Sequence, residues 1–480
     1  MGCRPSARRS MIDSRRWARA TRPSSETHVA PSSGPRCVIE SRIAVASRES
    51  SSRLMPSPVS MMPAMPHIDC AAYGIYANES ILVAVRCVAM MTAAPAEPST
   101  DAKGLEESLR FGFGRNWSDF IAQHFAESRV ESSKCHILKA LRVESLAGLS
   151  FLDIGCGSGL HSLAALRADA ASVVGFDFDR DAVETSTKVR EMASGNDARW
   201  TVEQGSVLDS ARMQSMPKFD IVYSWGVLHH TGELWKAMDN AIIPRKPDGV
   251  VYIALYSSDQ YVEPPTGEWV KVKRKYNQCG AIGKKMMEWK HAWKLFKQGW
   301  REKKSPWTVV REYSTRGMDF WTDIKDWLGG WPIEFASYLE VEQWGARHGL
   351  TIVNAIVGEG CTEYILADVA HNVQWAAEQK RRHAARRPLP APYVKRDGLS
   401  WTAQLPELVG SCDQCLAPRG SRLMLYDRDV PLGLTHFMHA HIVQYGAGRF
   451  AHWQDYVMFS TRDGRDPNED PHRYSYVAEY

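Results

Sequence analysis

At 480 residues the chain is long enough for two or three domains, and its 44% apolar content is that of an ordinary globular protein. A net charge of +4 argues against a dedicated nucleic-acid binder. No run of 18 apolar residues exists to span a membrane, since the nearest, 81–91, is short and broken by Arg86. Ten scattered cysteines form no paired framework, so a reducing cytoplasm is the expected setting.

The first segment, 1–95, differs in composition from the rest, with 14 Ser and 11 Arg in its first sixty residues, few acids and no sustained periodicity. It carries too little apolar surface to offset chain entropy and is expected to be disordered. An organelle leader and a basic tail are alternatives. The preferred expectation is translated upstream sequence, with the biological start at Met90 or Met91. Residues 96–149 are expected to form a helical cap, because Phe120, His124 and Phe125, then Ile137, Leu138 and Leu141, recur at helical spacing. Within it, Phe111-Gly112-Phe113-Gly114-Arg115-Asn116-Trp117 joins flexible backbone to aromatic and cationic groups. It could close over a ligand or pack the cap on the core.

Next comes Phe151-Leu152-Asp153-Ile154-Gly155-Cys156-Gly157-Ser158-Gly159, an apolar strand leading into glycines at alternate positions. Such a pattern turns a strand sharply into a helix and lets the backbone approach a ligand closely. A second apolar strand, Val173-Val174-Gly175-Phe176-Asp177, ends in an acid 18 residues after the last glycine, a distance suited to a ribose. Asp153 beside the glycines would repel a pyrophosphate and suits a cation. On these residues, 151–256 resembles the core of a class I S-adenosylmethionine-dependent methyltransferase.

Strands at 150–154, 172–177, 200–204, 219–224 and 250–256 alternate with helices from 160, at 182–192 and at 234–241. This predicts an α/β fold with a doubly wound, mostly parallel sheet. Two apolar runs, 350–357 and 363–367, would complete the seven strands the resemblance implies. Between them and the core, 260–349 reads as a helical insertion and acceptor lid. Residues 268–316 hold 14 Lys or Arg against four Glu, interleaved with Trp269, Tyr276, Trp289, Trp293, Phe296, Trp300 and Trp307. That pattern fits an interfacial helix, a lid over an acidic or lipid-like substrate, a nucleic-acid surface, or a subdomain whose aromatic face packs inward. Asp326-Trp327-Leu328-Gly329-Gly330-Trp331-Pro332 would shape an acceptor pocket or form a packed corner. Residues 371–409 read as a basic linker, and 410–480 as a small β-rich module with 439–443 in a strand. Neither the Cys412/Cys415 pair nor His436, His439 and His441 calls for a metal, and none is expected.

The resemblance implies roles residue by residue. Asp153, Gly155, Gly157 and Gly159 would cradle the methionine part of S-adenosylmethionine, Asp177 would take the ribose hydroxyls, and Phe178 would lie on the adenine. Ser206 stands where many relatives have an acid, so the backbone of Val207 and Leu208, with Asp209 as an alternative acid, would read the adenine edge. Ser224 is counted with the cofactor contacts at the end of the fourth strand. His230, and less directly His229, would remove a proton from the acceptor. The expected partner is a small-molecule acceptor, methylated at oxygen, of the amphiphilic, phenolic or quinone-like kind. A modifier of the tRNA wobble uridine and a non-catalytic S-adenosylmethionine-binding protein are the alternatives. Peripheral membrane contact through the insertion is allowed for.

Overall fold

The computed structural model describes residues 109, 111–112, 127–301, 303–315, 320–358, 360–414 and 419–479. The readings for 1–95, for Phe113 to Trp117, for Phe120, His124 and Phe125, and for Cys415 lie outside the described residues.

Helix α1 (Glu127–Leu141) precedes an alternating series. It runs β1 (Ser150–Ile154), α2 (Leu160–Arg167), β2 (Ser172–Asp177), α3 (Arg180–Ser194), β3 (Trp200–Gln204), α4 (Ser210–Ser215), β4 (Phe219–Trp225), α5 (Leu234–Ala241) and β5 (Arg245–Leu255). Four insertion helices follow: α6 (Thr266–Gln278), α7 (Ala281–Arg301), α8 (Pro306–Thr315) and α9 (Phe320–Gly329). Then come α10 (Tyr338–Arg347), β6 (Thr351–Val357) and β7 (Thr362–Ala367). The sheet order is β3-β2-β1-β4-β5-β7-β6, with β7 antiparallel to both β5 and β6.

The central strands are apolar on both faces because helices cover both faces. Along β1, Leu152 and Ile154 join one core cluster and Phe151 the other, and β4 divides Val222 from Ile221 and Tyr223 in the same way. Asp153 therefore points to the α2 side, where the Ser162 hydroxyl donates to it at 2.6 Å. Strand order reverses between β1 and β4, and the loops leaving their carboxyl ends open a crevice there. Ser224 closes the bottom of that crevice by donating to the Ile154 carbonyl at 3.0 Å.

The insertion has its own small core of Tyr276, Ala292, Val309, Phe320, Ile324 and Leu328. Helix α10, which the sequence reading assigned to the insertion, belongs to the main layer instead. Its Ser337 and Glu340 form a reciprocal cap, and Tyr338, Val341 and Trp344 are buried in the main core.

Residues 371–409, expected as a linker, are ordered into α11 (Val373–Ala385), β8 (Arg387–Pro388), β9 (Val394–Lys395) and β10 (Ser400–Gln404). Their charge is used in pairing, with Arg382 buried and bonded to Glu479 and to the Val353 carbonyl, both at 2.7 Å. The remaining elements are β11 (Leu423–Asp427), β12 (Val430–Pro431), α12 (His439–Tyr445), β13 (Phe450–Trp453), β14 (Tyr456–Ser460) and β15 (Tyr474–Ala478). They form two four-stranded antiparallel sheets, β13-β14-β10-β9 and β12-β11-β15-β8. His439 and His441 thus sit on a short helix rather than a strand, and that helix buries Ile442 in the main core. Arg449 pairs with Asp259 at 3.0 Å and Arg462 with Glu342 at 2.9 Å, fixing this module beside the crevice. No helix among the described residues is long and apolar enough to cross a membrane.

Arg382→Ala would leave the Val353 carbonyl unpaired inside the protein and strip Glu479 of one partner. It is expected to cost roughly 2–3 kcal/mol in urea unfolding. Lys236→Ala, which removes an exposed pair with Glu233, should stay within about 0.5 kcal/mol.

Candidate functional site

The crevice is a cavity of about 1270 Å³, larger than the roughly 300–1,000 Å³ usual for one small ligand. Its two ends differ in chemistry.

One end is built by the β1 and β2 loops. The amides of Gly155 and Cys156 both donate to the Phe176 carbonyl, at 2.8 and 3.0 Å. Gly155 has φ +73°, and a Cβ there would stand 2.4 Å from Val227, so only glycine fits between the loops. One oxygen of Asp177 accepts from the Gly157 amide and the other from the Asp179 amide, each at 2.9 Å. A carboxylate offers about four acceptor positions, so capacity remains for a ligand hydroxyl beside the amides of Gly157, Phe178 and Asp179. Burial raises the Asp177 carboxyl, while the amides of Asp179 and Gly157 oppose the rise. Phe178, half exposed, forms the rim, and Ser206, Val207 and Leu208 form the facing wall.

Of the predicted residues, Gly155, Gly157, Asp177, Phe178, Ser206, Val207, Leu208 and His230 are brought together on this cavity. Asp153, Gly159, Ser224 and His229 stand behind its surface. Asp153 is spent on Ser162 and Ser224 on Ile154. Gly159 is pressed against Ser186 and Trp200. The Leu208 amide is already held by the Ser206 hydroxyl at 3.1 Å, and Asp209 caps α4 through the Arg212 amide, so neither is available to a ligand edge as expected.

The other end is aromatic. Tyr256, Tyr261, Trp269, Trp327 and Trp331 line it, with Tyr261 stacked on Trp327 at 5.5 Å. Phe111, described together with Gly112 from the segment 111–117, also lines it and donates its amide to the Trp331 carbonyl at 3.1 Å. His230 sits between the two ends. Its Nδ1 is 2.7 Å from the Pro332 carbonyl, which can only accept, so Nδ1 carries a proton, and in the neutral form of the ring Nε2 is the basic nitrogen. Gly330 lies against the ring edge, where a Cβ would come within 2.9 Å of Cε1. Neither nitrogen of His229 meets a hydrogen-bond partner among the described residues. Burial, with His230 and Lys273 nearby, pulls its protonation well below the usual range. It acts as a neutral packing ring, 4.2 Å from Tyr256.

Several cavity residues escaped the sequence reading. Glu363, in β7, accepts from His136 at 2.8 Å and from the Tyr252 hydroxyl. Burial alone would raise it, but His136, Tyr252 and Trp225 together hold it below the usual carboxyl range. A lone acid in the strand Thr362–Ala367 was the available signal. His161, buried beside the Tyr223 hydroxyl, is pulled down to about 4 by burial. Lys273 and Asn277 of α6 hold the carbonyls of Trp327 and Gly329 at the end of α9. Burial brings the Lys273 ammonium down to about 7. Nothing in a lysine-rich helix marks which lysine turns inward.

Residues 145–304 match a family model described as a methyltransferase domain. The chain is 31% identical over 104 residues to the tRNA U34 carboxymethyltransferase of Cronobacter sakazakii, covering 21% of this chain and 31% of that one. It is 29% identical over 127 residues to the ubiquinone biosynthesis O-methyltransferase of Actinobacillus pleuropneumoniae, covering 25% and 53%. It thus spans about a third to a half of these curated relatives. Magnesium protoporphyrin IX methyltransferase from Synechocystis PCC 6803 aligns with 57% of this chain and 99% of its own, at 11% identity and a TM-score of 0.33.

Burial places the Asp153 carboxyl at about 7, against its ordinary 3.8. Between those values the folded chain keeps a proton that the unfolded chain has released. Its contribution to stability is therefore complete below about pH 4 and is lost as pH rises through about 7. Asp153→Asn, which still accepts from Ser162, should flatten that decline in urea titrations run across the same pH range.

Proposed function

We propose that this class I S-adenosylmethionine-dependent methyltransferase transfers its methyl group to an oxygen of a small amphiphilic acceptor of the phenolic or quinone-like kind. The observation that carries the reading is the single cavity with a polar, glycine-lined end, an aromatic end, and His230 at the junction.

The residues present fit the cofactor. Asp177 keeps acceptor capacity for the ribose, Phe178 offers a face for the adenine, and the tight Gly155 turn brings bare backbone to the methionine part. Two acids, the buried Asp153 and the half-buried Asp177, favour a cationic ligand over a pyrophosphate. When bound, S-adenosylmethionine supplies a methyl group on a positively charged sulfur, already a good electrophile. The chain's part is to orient the acceptor and exclude water. Tyr256, Tyr261 and Trp327 hold a flat ring, and Phe111 and Trp331 cover it. With the acceptor hydroxyl set against the methyl that the bound cofactor would supply, its proton would pass to Nε2 of His230. Pro332 stabilises the resulting imidazolium through Nδ1. The ubiquinone relative is named for O-methylation, which agrees with this acceptor class.

His230→Asn can still donate to the Pro332 carbonyl but cannot accept the proton. It should lower kcat by about 10²–10⁴ while leaving cofactor affinity in calorimetry unchanged, whereas His229→Phe should retain transfer. Labelled S-adenosylmethionine incubated with fractionated lysate identifies the acceptor. Label in the lipid or small-molecule fraction supports the reading, and label confined to RNA replaces it with the tRNA alternative.

A further inference from the structure

Helix α7 has two unlike sides. The inward side buries Glu288, Ala292 and Gly299, and Glu288 is satisfied by Lys285 and the Tyr276 hydroxyl, each at 2.8 Å. On the side turned away from the outward stripe, His291 lines the cavity whose aromatic end the insertion forms. The outward side carries Ile282, Met286, Trp289, Trp293 and Trp300. Their offsets of 4, 7, 11 and 18 residues from Ile282 place all five on one stripe of a 3.6-residue helix. They are 80%, 69%, 58%, 50% and 49% exposed, and Trp307 at the start of α8 is 85% exposed. Scattered exposed apolar residues need no explanation, but a contiguous stripe of this size does. Lys285, Lys290, Lys294, Lys297 and Arg301 are exposed along its edges.

We propose that this face docks on an anionic lipid bilayer, with α7 lying in the headgroup plane and its stripe inserted toward the acyl chains. The composition and its geometry match such a helix: apolar and tryptophan side chains on one side, lysines at the flanks, and 21 residues, which at the α-helical rise give about 32 Å of contact. Charge complementarity selects this occupant. A two-fold partner copy would set the lysine rows of one helix against those of the other. A nucleic acid would satisfy the lysines and stack on the tryptophans but would gain nothing from Ile282 and Met286, which have no aromatic face. A bilayer rewards all three kinds of side chain. Tryptophan settles at the headgroup level, aliphatic groups reach below it, and lysines meet the anionic surface.

The stripe is also held ready. Trp293 meets Trp300 edge-on at 5.2 Å, and Trp289 meets Trp321 of α9 at 4.9 Å. Because α7 also contributes His291 to the cavity from the side turned away from the stripe, a docked molecule holds the aromatic end of that cavity one helix away from the bilayer. Resting on the acceptor reading above, the acceptor is then one that partitions into lipid. The docking itself requires no methyl transfer.

The test is co-sedimentation of the full chain with vesicles of phosphatidylcholine alone and of phosphatidylcholine with phosphatidylglycerol, and cofactor affinity is measured in parallel by calorimetry. The chain should bind the anionic vesicles. Replacing Lys290, Lys294 and Lys297 by Gln should weaken that binding about a hundredfold, at roughly fivefold per lysine. Replacing Trp289, Trp293 and Trp300 by Ala should abolish it, with cofactor affinity retained in both variants as evidence that they fold. No binding of the parent chain to anionic vesicles, or equal binding by the folded variants, overturns the proposal. So does a dimer in sedimentation equilibrium, or tight binding of a labelled RNA, that the same substitutions abolish while vesicle binding stays absent. Vesicle binding without cofactor binding would uphold the docking face and remove the methyl-transfer reading instead.

Discussion

Asp177 is the tie on which the site depends. Its strand delivers a carboxylate into a layer with little water, and the cost of that burial is offset only because two loops turn their amides toward it. The Gly157 amide belongs to the loop after β1 and the Asp179 amide to the loop after β2, so one side chain fixes two segments at once. The same Asp179 then caps α3 by accepting from the Asp181 amide. Asp153 adds a second acid in the neighbouring strand, and each loses stability by being charged in this setting. A cation bound in front of them would relieve that cost and a phosphate would add to it. The preference for a cationic ligand follows from the same electrostatics that hold the loops.

The aromatic end depends on a different support. Tyr256 follows directly from β5, but Trp327, Gly330, Trp331 and Pro332 reach the cavity only because the insertion folds back. Lys273 and Asn277 reach across from α6 to the last carbonyls of α9, groups that a helix end leaves unpaired. The Glu334 carboxylate then accepts from the Leu234 amide at the start of α5, and the Glu334 amide donates to the His229 carbonyl. Those contacts bring the Pro332 carbonyl to His230. The tautomer of the histidine is thereby set by a residue about a hundred positions away, and the histidine and the aromatic wall share one scaffold.

How much of this was legible follows from the range of each signal. The sheet and the glycine loop are local: apolar runs, alternating helices and a positive-φ turn are written in consecutive residues, and 151–177 predicted β1, its loop and β2 directly. The burial of Asp153 behind the loop was not legible, because it depends on which face of β1 meets Ser162. The competition of the Ser206 hydroxyl for the Leu208 amide, and the use of Asp209 as a helix cap, are decided by the turn geometry that follows β3. The segment 371–409 misled because charge density was read as solvation, whereas Arg382 finds Glu479 nearly a hundred residues later. For His439 and His441, a short alternating run suits a strand or one turn of helix equally, and the packing of Ile442 against the main core decides for the helix.

Helix α7 resolves an ambiguity that sequence alone leaves open. A basic helix with aromatic residues at three- and four-residue spacing can bury those aromatics or display them, and the period is the same in both cases. The structure separates the two by what fills the inner face. Small residues, Ala292 and Gly299, let α7 approach its neighbours closely, and the single acid, Glu288, is taken inside with Lys285 and Tyr276. Leu295 and Phe296 pack beside them on the insertion core, and the tryptophans are left outward. Removing the only acid from the outer surface makes the exposed face uniformly basic around its apolar stripe. Close inner packing and a cationic outer face are therefore consequences of one arrangement, in which placing the small residues inside decides what the helix presents outside.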